Sequence, residues 1–337
     1  MRIGAILPHM LLFGGVRRYV ELAGAFMRRG HSFVVYTPDG SPPDWCGFDG
    51  TCEPLSRLPL GAHDVLLTGS PEYLELMRET PAELKVFYVQ IEGVEQEREI
   101  VRASWLRIMA NSSGIMRRLR RRYGIEALDG RGGVDTGLFH PAQDGSIDSR
   151  GRGRPFRVLC YGRLSRPRKG TRFVVSAVEA MQRAGRLVEL HLFDTRVSGL
   201  DDPRIGFSPR VPFRFFMDLS QGQLAEVYRA ADVFVSAERR AGWSNTCAEA
   251  AASGLPIVCT PSGTGDFALN GESALVTRIR GAWPIRRSLE RLYRDATLGA
   301  RLGGEARRRI MQFTWDRVCD TMLDEFRRAG APDGRCR

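Results

Sequence analysis

Short apolar runs and stretches with a helical repeat alternate along this chain, and the alternation occurs twice. Residues 2–7 form an apolar run that reads as a buried strand. His9 to Phe13 is a loop closed by Gly14-Gly15. Val16, Tyr19, Val20, Ala23, Phe26 and Met27 then recur at i, i+3, i+4 and i+7, with Arg17, Arg18, Glu21 and Arg28 on the other face. That spacing predicts an amphipathic helix ending at Gly30. Phe33–Tyr36 is the next strand, which makes the opening a β-α-β unit. The pattern goes on with strands at Val65–Thr68, Lys85–Gln90 and Leu106–Asn111, a helix near Pro71–Arg78, a polar segment Glu92–Arg98 and a very basic helix Ser113–Tyr123.

From His140 to Pro155 the composition shifts to Gly, Ser, Asp, Arg and Pro, as expected of a linker. A second series follows, with strands at Arg157–Tyr161, Val188–Phe193, Val233–Ser236 and Leu255–Thr260. Its helices are at Thr171–Gln182, Gln223–Ala231, Trp283–Arg294 and Leu298–Arg308, and a last amphipathic helix covers Trp315–Arg328. Alternation over this length predicts an α/β chain of two doubly wound, parallel-sheet domains, at 1–152 and 153–313, with 314–337 as a terminal helix. Such sheets bind ligands outside the carboxyl ends of their strands, so two facing ones would make an interdomain cleft. No internal repeat of 20–50 residues is visible.

Composition narrows the function classes. At 337 residues, 43% apolar and 26% charged, the chain is that of a globular protein of two ordinary domains. The net charge of +11 suits anionic ligands, nucleic acid or an acidic membrane surface without choosing among them. Nearly all of it is arginine, since Lys85 and Lys169 are the only lysines. The seven cysteines lack metal-ligand spacing and read as reduced thiols of a cytoplasmic protein. Pro8 and His9 break the apolar N-terminus, which argues against a signal peptide, and no run is long enough to span a membrane. The Gly14-Gly15 pair lacks the rest of G-x-G-x-x-G, so no NAD site is expected there. With no D-x-D, H-E-x-x-H or Cys/His cluster, no metal and no other cofactor is expected. Charge without aromatic interleaving argues against nucleic acid.

Two stretches carry the chemistry. In Glu238–Phe267, Gly242-Trp243-Ser244 makes a turn, Asn245 or Thr246 can cap a helix, and Gly254 suits the position past its end. A helix N-terminus reached through small residues is an anion site, and Glu249 lies one turn in, where it could reach a sugar hydroxyl. Thr246-x-x-Glu249 also fits a capping box, which would leave Glu249 serving its own helix. In Tyr161–Thr171, Arg163 and Lys169 fall between a strand and a helix, where together they can hold a diphosphate; a solvated basic loop is the plain alternative.

Five motifs in order resemble the retaining glycosyltransferases of family four, the group 1 glycosyl transferases, which have the two-Rossmann GT-B fold. They are G-G-V-x-R at Gly14, G-V-D-T-G-L-F-x-P at Gly133–Pro141, G-R-L-x-x-x-x-K-G at Gly162, A-E-A-A-A-S-G-L-P-I-V at Ala248 and F-T-W-D-R-V at Phe313. The resemblance implies two Rossmann-like domains facing across a cleft, with the last helix crossing back to the first. It implies a nucleoside-diphosphate sugar as donor, bound without metal, and a small-molecule, saccharide or lipid-linked acceptor. Carried over by position, Arg163 and Lys169 would act on the donor diphosphate, and Gly14 and Gly15 would approach it from the first domain. Ser244, Asn245 and Thr246 would hold phosphate through the helix start, and Glu249 would bind the ribose. His9, Gln90, Glu238 and Trp243 are candidate sugar or acceptor contacts.

The chain departs from the pattern at two places. Ala241 stands where the family carries a glutamate, with Glu238 three residues before it, and Gln90 stands where a histidine is usual. Both bear on the donor sugar, hexose or pentose. The run 117–122 (Arg117-Arg118-Leu119-Arg120-Arg121-Arg122) fits contact with an anionic membrane face, and fits a solvated helix face equally. The expected function is a retaining, metal-independent glycosyltransferase of carbohydrate or natural-product biosynthesis. The alternatives are a non-catalytic nucleotide-sugar-binding subunit, motivated by Ala241, and a sugar-nucleotide epimerase on the same fold, which would need more acid–base groups.

Overall fold

The computed structural model describes residues 1–142, 153–197 and 199–332. Their contacts divide the chain into two compact units, one of Met1–Gly133 with Trp315–Arg337 and one of Val134–Thr314. Most of the expected linker, 143–152, lies outside the described residues. The units change over at Gly133/Val134, and Val134 and Phe139 are buried in the second.

The first unit is a seven-stranded parallel sheet of β1 (Arg2–Ile6), β2 (Ser32–Thr37), β3 (Thr51–Pro54), β4 (His63–Thr68), β5 (Ala82–Val89), β6 (Arg107–Ala110) and β7 (Leu128–Asp129), in the order β3-β2-β1-β4-β5-β6-β7. Its helices are α1 (Gly14–Met27), α2 (Leu74–Glu79), α3 (Glu97–Ile100) and α4 (Ser113–Tyr123). The strands are apolar on both sides because each face is covered, as a parallel sheet requires. One face packs under α1; the other holds Ile115 and Leu119 of α4.

The second unit has six parallel strands. In chain order its elements are β8 (Phe156–Tyr161), α5 (Thr171–Arg183), β9 (Val188–Asp194), β10 (Phe213–Met217), α6 (Gln221–Arg229), β11 (Val233–Ser236) and α7 (Asn245–Ala252). They are followed by β12 (Ile257–Cys259), β13 (Leu275–Val276), α8 (Ala282–Arg294) and α9 (Ala296–Ile310). The sheet order is β10-β9-β8-β11-β12-β13. The chain then re-enters the first unit as α10 (Trp315–Arg328), whose Val318, Met322, Leu323 and Phe326 join the α1 core. Phe26 and Phe326 stack at 6.2 Å, and Arg29 reaches Asp320 at 2.6 Å and Asp316 at 2.9 Å.

Two sequence expectations are corrected here. Arg18, placed on the polar face of α1, is 2% exposed. It is accommodated because Tyr88 Oη accepts from its Nη1 at 2.9 Å and the Trp315 ring lies 5.3 Å from its guanidinium carbon. The strand expected at Leu255–Thr260 shrinks to Ile257–Cys259, since Gly254 adopts φ +72° and Leu255 N still bonds Ala250 O. Cys46, Cys52, Cys160, Cys247, Cys259 and Cys319 are free thiols. Among the described residues, no helix is long and apolar enough to cross a membrane.

Candidate active site

In the second sheet β8 is flanked by β9 on one side and β11 on the other, so the chain changes direction of winding between β8 and β11. Loops that leave the carboxyl ends of two such strands diverge and open a crevice. The loop after β8 carries Arg163 and Lys169; the loop after β11 carries Glu238 and Ala241.

These two loops meet through an ion pair. Lys169 Nζ lies 2.7 Å from Glu238 Oε1 and 5.1 Å from the centre of the Tyr161 ring. The carboxylate is nearly buried, with the Glu238 side chain 8% exposed, while the lysine keeps 22%. Gly170 makes the approach possible: it has φ +75°, and a Cβ there would strike the Ala237 carbonyl. Arg280 clamps the arrangement, donating from Nε to Ala237 O at 2.6 Å and from Nη2 to Arg168 O at 2.9 Å. Sequence reasoning missed it, because one arginine in an arginine-rich chain carries no signal.

Arg163 is placed differently from the expectation of a diphosphate grip. It is 2% exposed, and it donates from Nε to Asp194 Oδ2 at 2.6 Å and from Nη2 to Thr195 O at 2.8 Å. Burial disfavours its charge, but the hydrogen bond and charge of Asp194 more than offset this and hold its pKa above the usual value. Its guanidinium therefore braces the loop from beneath.

The start of α7 is the third part. Ser244 is the N-cap, with its N–H on Gly263 O at 2.8 Å and its hydroxyl buried. Asn245 and Thr246 form the first turn, so neither caps the helix. The intrahelical ladder begins with Ala248 N–H on Ser244 O, and the N-terminal dipole of α7 points out at this loop. Glu249 is 3% exposed and accepts from Tyr228 Oη at 2.9 Å through Oε2. That contact, with Thr246 already inside the helix, overturns the capping-box alternative. Tyr228, on α6, is not singled out by the sequence, since nothing in its local pattern marks it. Trp243, a candidate sugar contact, is corrected to a core residue: it is 7% exposed and packs on Phe267 at 5.1 Å and Phe313 at 5.3 Å. Ala241 is also buried, its N–H donating to Ser262 Oγ at 2.8 Å, and it follows Arg240, which holds a left-handed φ of +61°.

In the first unit, Gly14 and Gly15 begin α1, and β5 ends just before Gln90. A Cβ on Gly15 would lie 2.8 Å from Gln90 Oε1, so glycine is what lets that amide reach the helix start. Asn111 Nδ2 fixes the loop by donating to Gln90 O at 3.1 Å. His9 lies in the loop between β1 and α1 with its ring 5.1 Å from that of Phe13. The structure thus brings Gln90 to the glycine pair. On α4, Arg118 pairs with Glu97 and Arg120 with Glu126, while Arg117, Arg121 and Arg122 are exposed.

The arrangement invites comparison with known proteins. Residues 155–295 match the sequence profile of the family Glycosyl transferases group 1. A D-inositol 3-phosphate glycosyltransferase of Streptomyces bingchenggensis is 29% identical over 244 residues, covering 66% of this chain and 53% of that protein. The chain spans about a third to a half of the length of the curated relatives it matches first (36%, 49% and 53%). The fold resembles sucrose-phosphate synthase from Thermosynechococcus elongatus, with a TM-score of 0.75 at 18% identity over 97% of this chain and 98% of that one. It also resembles HepE of Anabaena, solved in complex with UDP-glucose, with a TM-score of 0.74 at 15% identity over 97% and 100%. These likenesses show the fold: α/β, of the GT-B type.

Proposed function

We propose, for a chain whose residues 155–295 belong to the group 1 glycosyl transferases, that it moves a sugar from a nucleoside-diphosphate donor to an acceptor hydroxyl with retention of anomeric configuration. The observation that carries this reading is the Lys169–Glu238 pair at 2.7 Å, set at the switch point of the second sheet beside the N-terminus of α7. As the bond between the anomeric carbon and the diphosphate breaks, negative charge grows on the departing oxygen. A preorganised ammonium and a helix N-terminus are the groups that stabilise it. Glu238 holds Lys169 in place through this pair, and its carboxylate is the candidate sugar contact in place of the family glutamate that Ala241 replaces. Arg163 is a positioning residue, acting through its loop. Glu249, fixed by Tyr228, takes the ribose.

The acceptor oxygen attacks the anomeric carbon from the face the diphosphate leaves, and its proton passes to the departing diphosphate. No protein nucleophile is needed. The reading assigns leaving-group charge to Lys169 and α7, so it takes no metal, and chelator is expected to leave turnover unchanged. Relatives that bear names of inositol phosphate and lipopolysaccharide enzymes support a polyol, saccharide or lipid-linked acceptor. With a lipid-linked acceptor, a cytoplasmic protein would meet the membrane through Arg117, Arg121 and Arg122. Their replacement by serine would then abolish sedimentation with anionic vesicles.

Calorimetry with UDP, GDP and ADP, followed by mass spectrometry of donor panels, tests the reading. It predicts binding of one nucleoside diphosphate and at least slow donor hydrolysis. Failure of all three, and of CDP and dTDP, to bind overturns it. The buried Ala241 favours one second reading, a non-catalytic nucleotide-sugar-binding subunit. Binding without turnover of any donor would select it.

A further inference from the structure

All strands of the second sheet run parallel, so the residues just described share one edge of it. The opposite edge carries a cavity of about 610 Å³. Its walls include Phe156 and Arg157 at the start of β8, Asp232 just before β11, and Leu255 and Pro256 just before β12. The volume is that of a small-molecule site, roughly 300–1,000 Å³. Room is left by the first nine residues of α9, where Ala296, Gly299, Ala300 and Gly304 carry little side chain. A Cβ added at Gly304 would meet nothing within 4 Å.

The charge of the wall is unbalanced. Among the described residues it contains Arg154, Arg157, Arg229 and Arg307 against one carboxylate, Asp232. Asp232 is already engaged, accepting from Arg154 Nη1 and Nη2 at 2.8 Å each and from Arg157 N at 2.7 Å. Arg229 is paired with Glu226. Arg307 donates to carbonyls, Phe139 O at 2.9 Å and Ala252 O at 2.6 Å, and has no carboxylate partner among the described residues. Arg157 has Glu189 only at 3.8 Å, and Glu189 is held more closely by Arg214 at 3.0 Å. Two arginines therefore line the cavity without a close counter-charge among the described residues. Desolvation pulls the Arg307 pKa down, as expected of a cation that lacks an anion.

We propose that this cavity is a second ligand site, separate from the sugar-nucleotide site, for a small organic anion. A phosphate or carboxylate head would lie against Arg307 and Arg157, and an apolar body against Phe156, Leu255 and Leu292. Arginine forks suit either head, and N–H donors remain after Arg157 bonds Ala230 O at 3.3 Å and Arg307 bonds the Phe139, Ala252 and Thr136 carbonyls. The apolar wall supplies what inorganic phosphate could not use.

Phenyl phosphate is the probe, with benzoate, inorganic phosphate and benzyl alcohol in parallel, titrated into the full chain by calorimetry and saturation-transfer NMR. Phenyl phosphate or benzoate should bind at least tenfold more tightly than inorganic phosphate and benzyl alcohol, and whichever binds identifies the head. Gly304→Phe and Ala300→Phe, which fill the cavity without touching a charge, should weaken that binding at least tenfold and leave nucleoside diphosphate affinity unchanged. Arg157→Gln should weaken it too; it is preferred to a change at Arg307, whose carbonyl bonds tie Phe139 to Ala252. No binding of either aromatic anion overturns the proposal. So does binding that persists in both filled variants, or competition with nucleoside diphosphate, which would put the probe at the other edge.

Discussion

Replacement of Lys169 by methionine probes the two loops where they meet. At the observed 2.7 Å separation, and with an effective dielectric near 20, the attraction between the Lys169 and Glu238 charges is about 6 kcal/mol. Desolvation of both groups and the ordering of two side chains offset most of that, leaving a coupling of about 2 kcal/mol. Methionine keeps the packing of the lysine stem but strands a carboxylate whose side chain is 8% exposed. A loss of about 3 kcal/mol follows for the single variant. Glu238→Gln costs less, about 1–2 kcal/mol, because the ammonium it abandons is partly in water and keeps the Tyr161 ring beneath it. The double variant should be more stable than the sum of the two losses by that coupling. Urea unfolding of the four proteins, followed by fluorescence and circular dichroism, reads this cycle. Additivity within about 0.5 kcal/mol would refute the pair as an energetic unit. The same methionine variant should lower kcat by roughly 10²–10³ if the charge acts on the leaving group. Near-normal turnover in a folded variant would remove Lys169 from the chemistry.

Tyr228→Phe removes the hydroxyl 2.9 Å from Glu249 Oε2 and should cost about 1–3 kcal/mol while weakening nucleoside diphosphate binding several-fold; calorimetry that shows no change would detach Glu249 from the ligand. Gly170→Ala forces a side chain onto φ +75° and against the Ala237 carbonyl, so a loss of about 2–4 kcal/mol is expected, read as a lowered Tm. Burial lowers the pKa of His63 and of His191, so below the ordinary value of 6.5 the unfolded chain takes up protons that the folded one resists. Stability is full above that pH and falls as pH drops through it. His63→Gln should flatten part of the decline in Tm between about pH 6.5 and 5. Asp316, whose pKa is lowered by hydrogen bonds from Arg29 and Arg28, acts in a different window, with loss only below its ordinary 3.8.

The parallel sheets were legible because each buried strand is an apolar run and each covering helix an amphipathic repeat, patterns that tertiary contacts reinforce. β10 was not, since Phe213 and Arg214 lie on an exposed edge where nothing demands alternation. Arg18 could not be read as buried, because its partners, Tyr88 and Trp315, arrive from distant points in the sequence. The site was legible in its positions but less so in its pairings. Lys169 and Glu238 were both marked, yet only folding brings β8 and β11 side by side and makes them a pair. Arg163 looked like a phosphate ligand because its neutralising partner, Asp194, lies at the end of the next strand. Trp243 was misread for a simpler reason: a tryptophan at a turn suits a sugar platform and a core plug equally, and here Phe313 and Phe267 claim it.

The second unit is inserted into the first. Val134 forms an isolated bridge with Thr314, so the segment that leaves the first unit and the one that returns to it pass side by side. During synthesis the chain emerges from its N-terminus, and domains ordinarily fold in that order. Here the order must invert. The α1 face that receives Val318, Met322 and Phe326 stays uncovered until α10 leaves the ribosome, by which time every residue of the second unit has been made. The unit that begins the chain is therefore the last to be completed. A chain truncated after Thr314 and released from the ribosome should already hold a protease-resistant second unit while its first 130 residues are still readily cleaved.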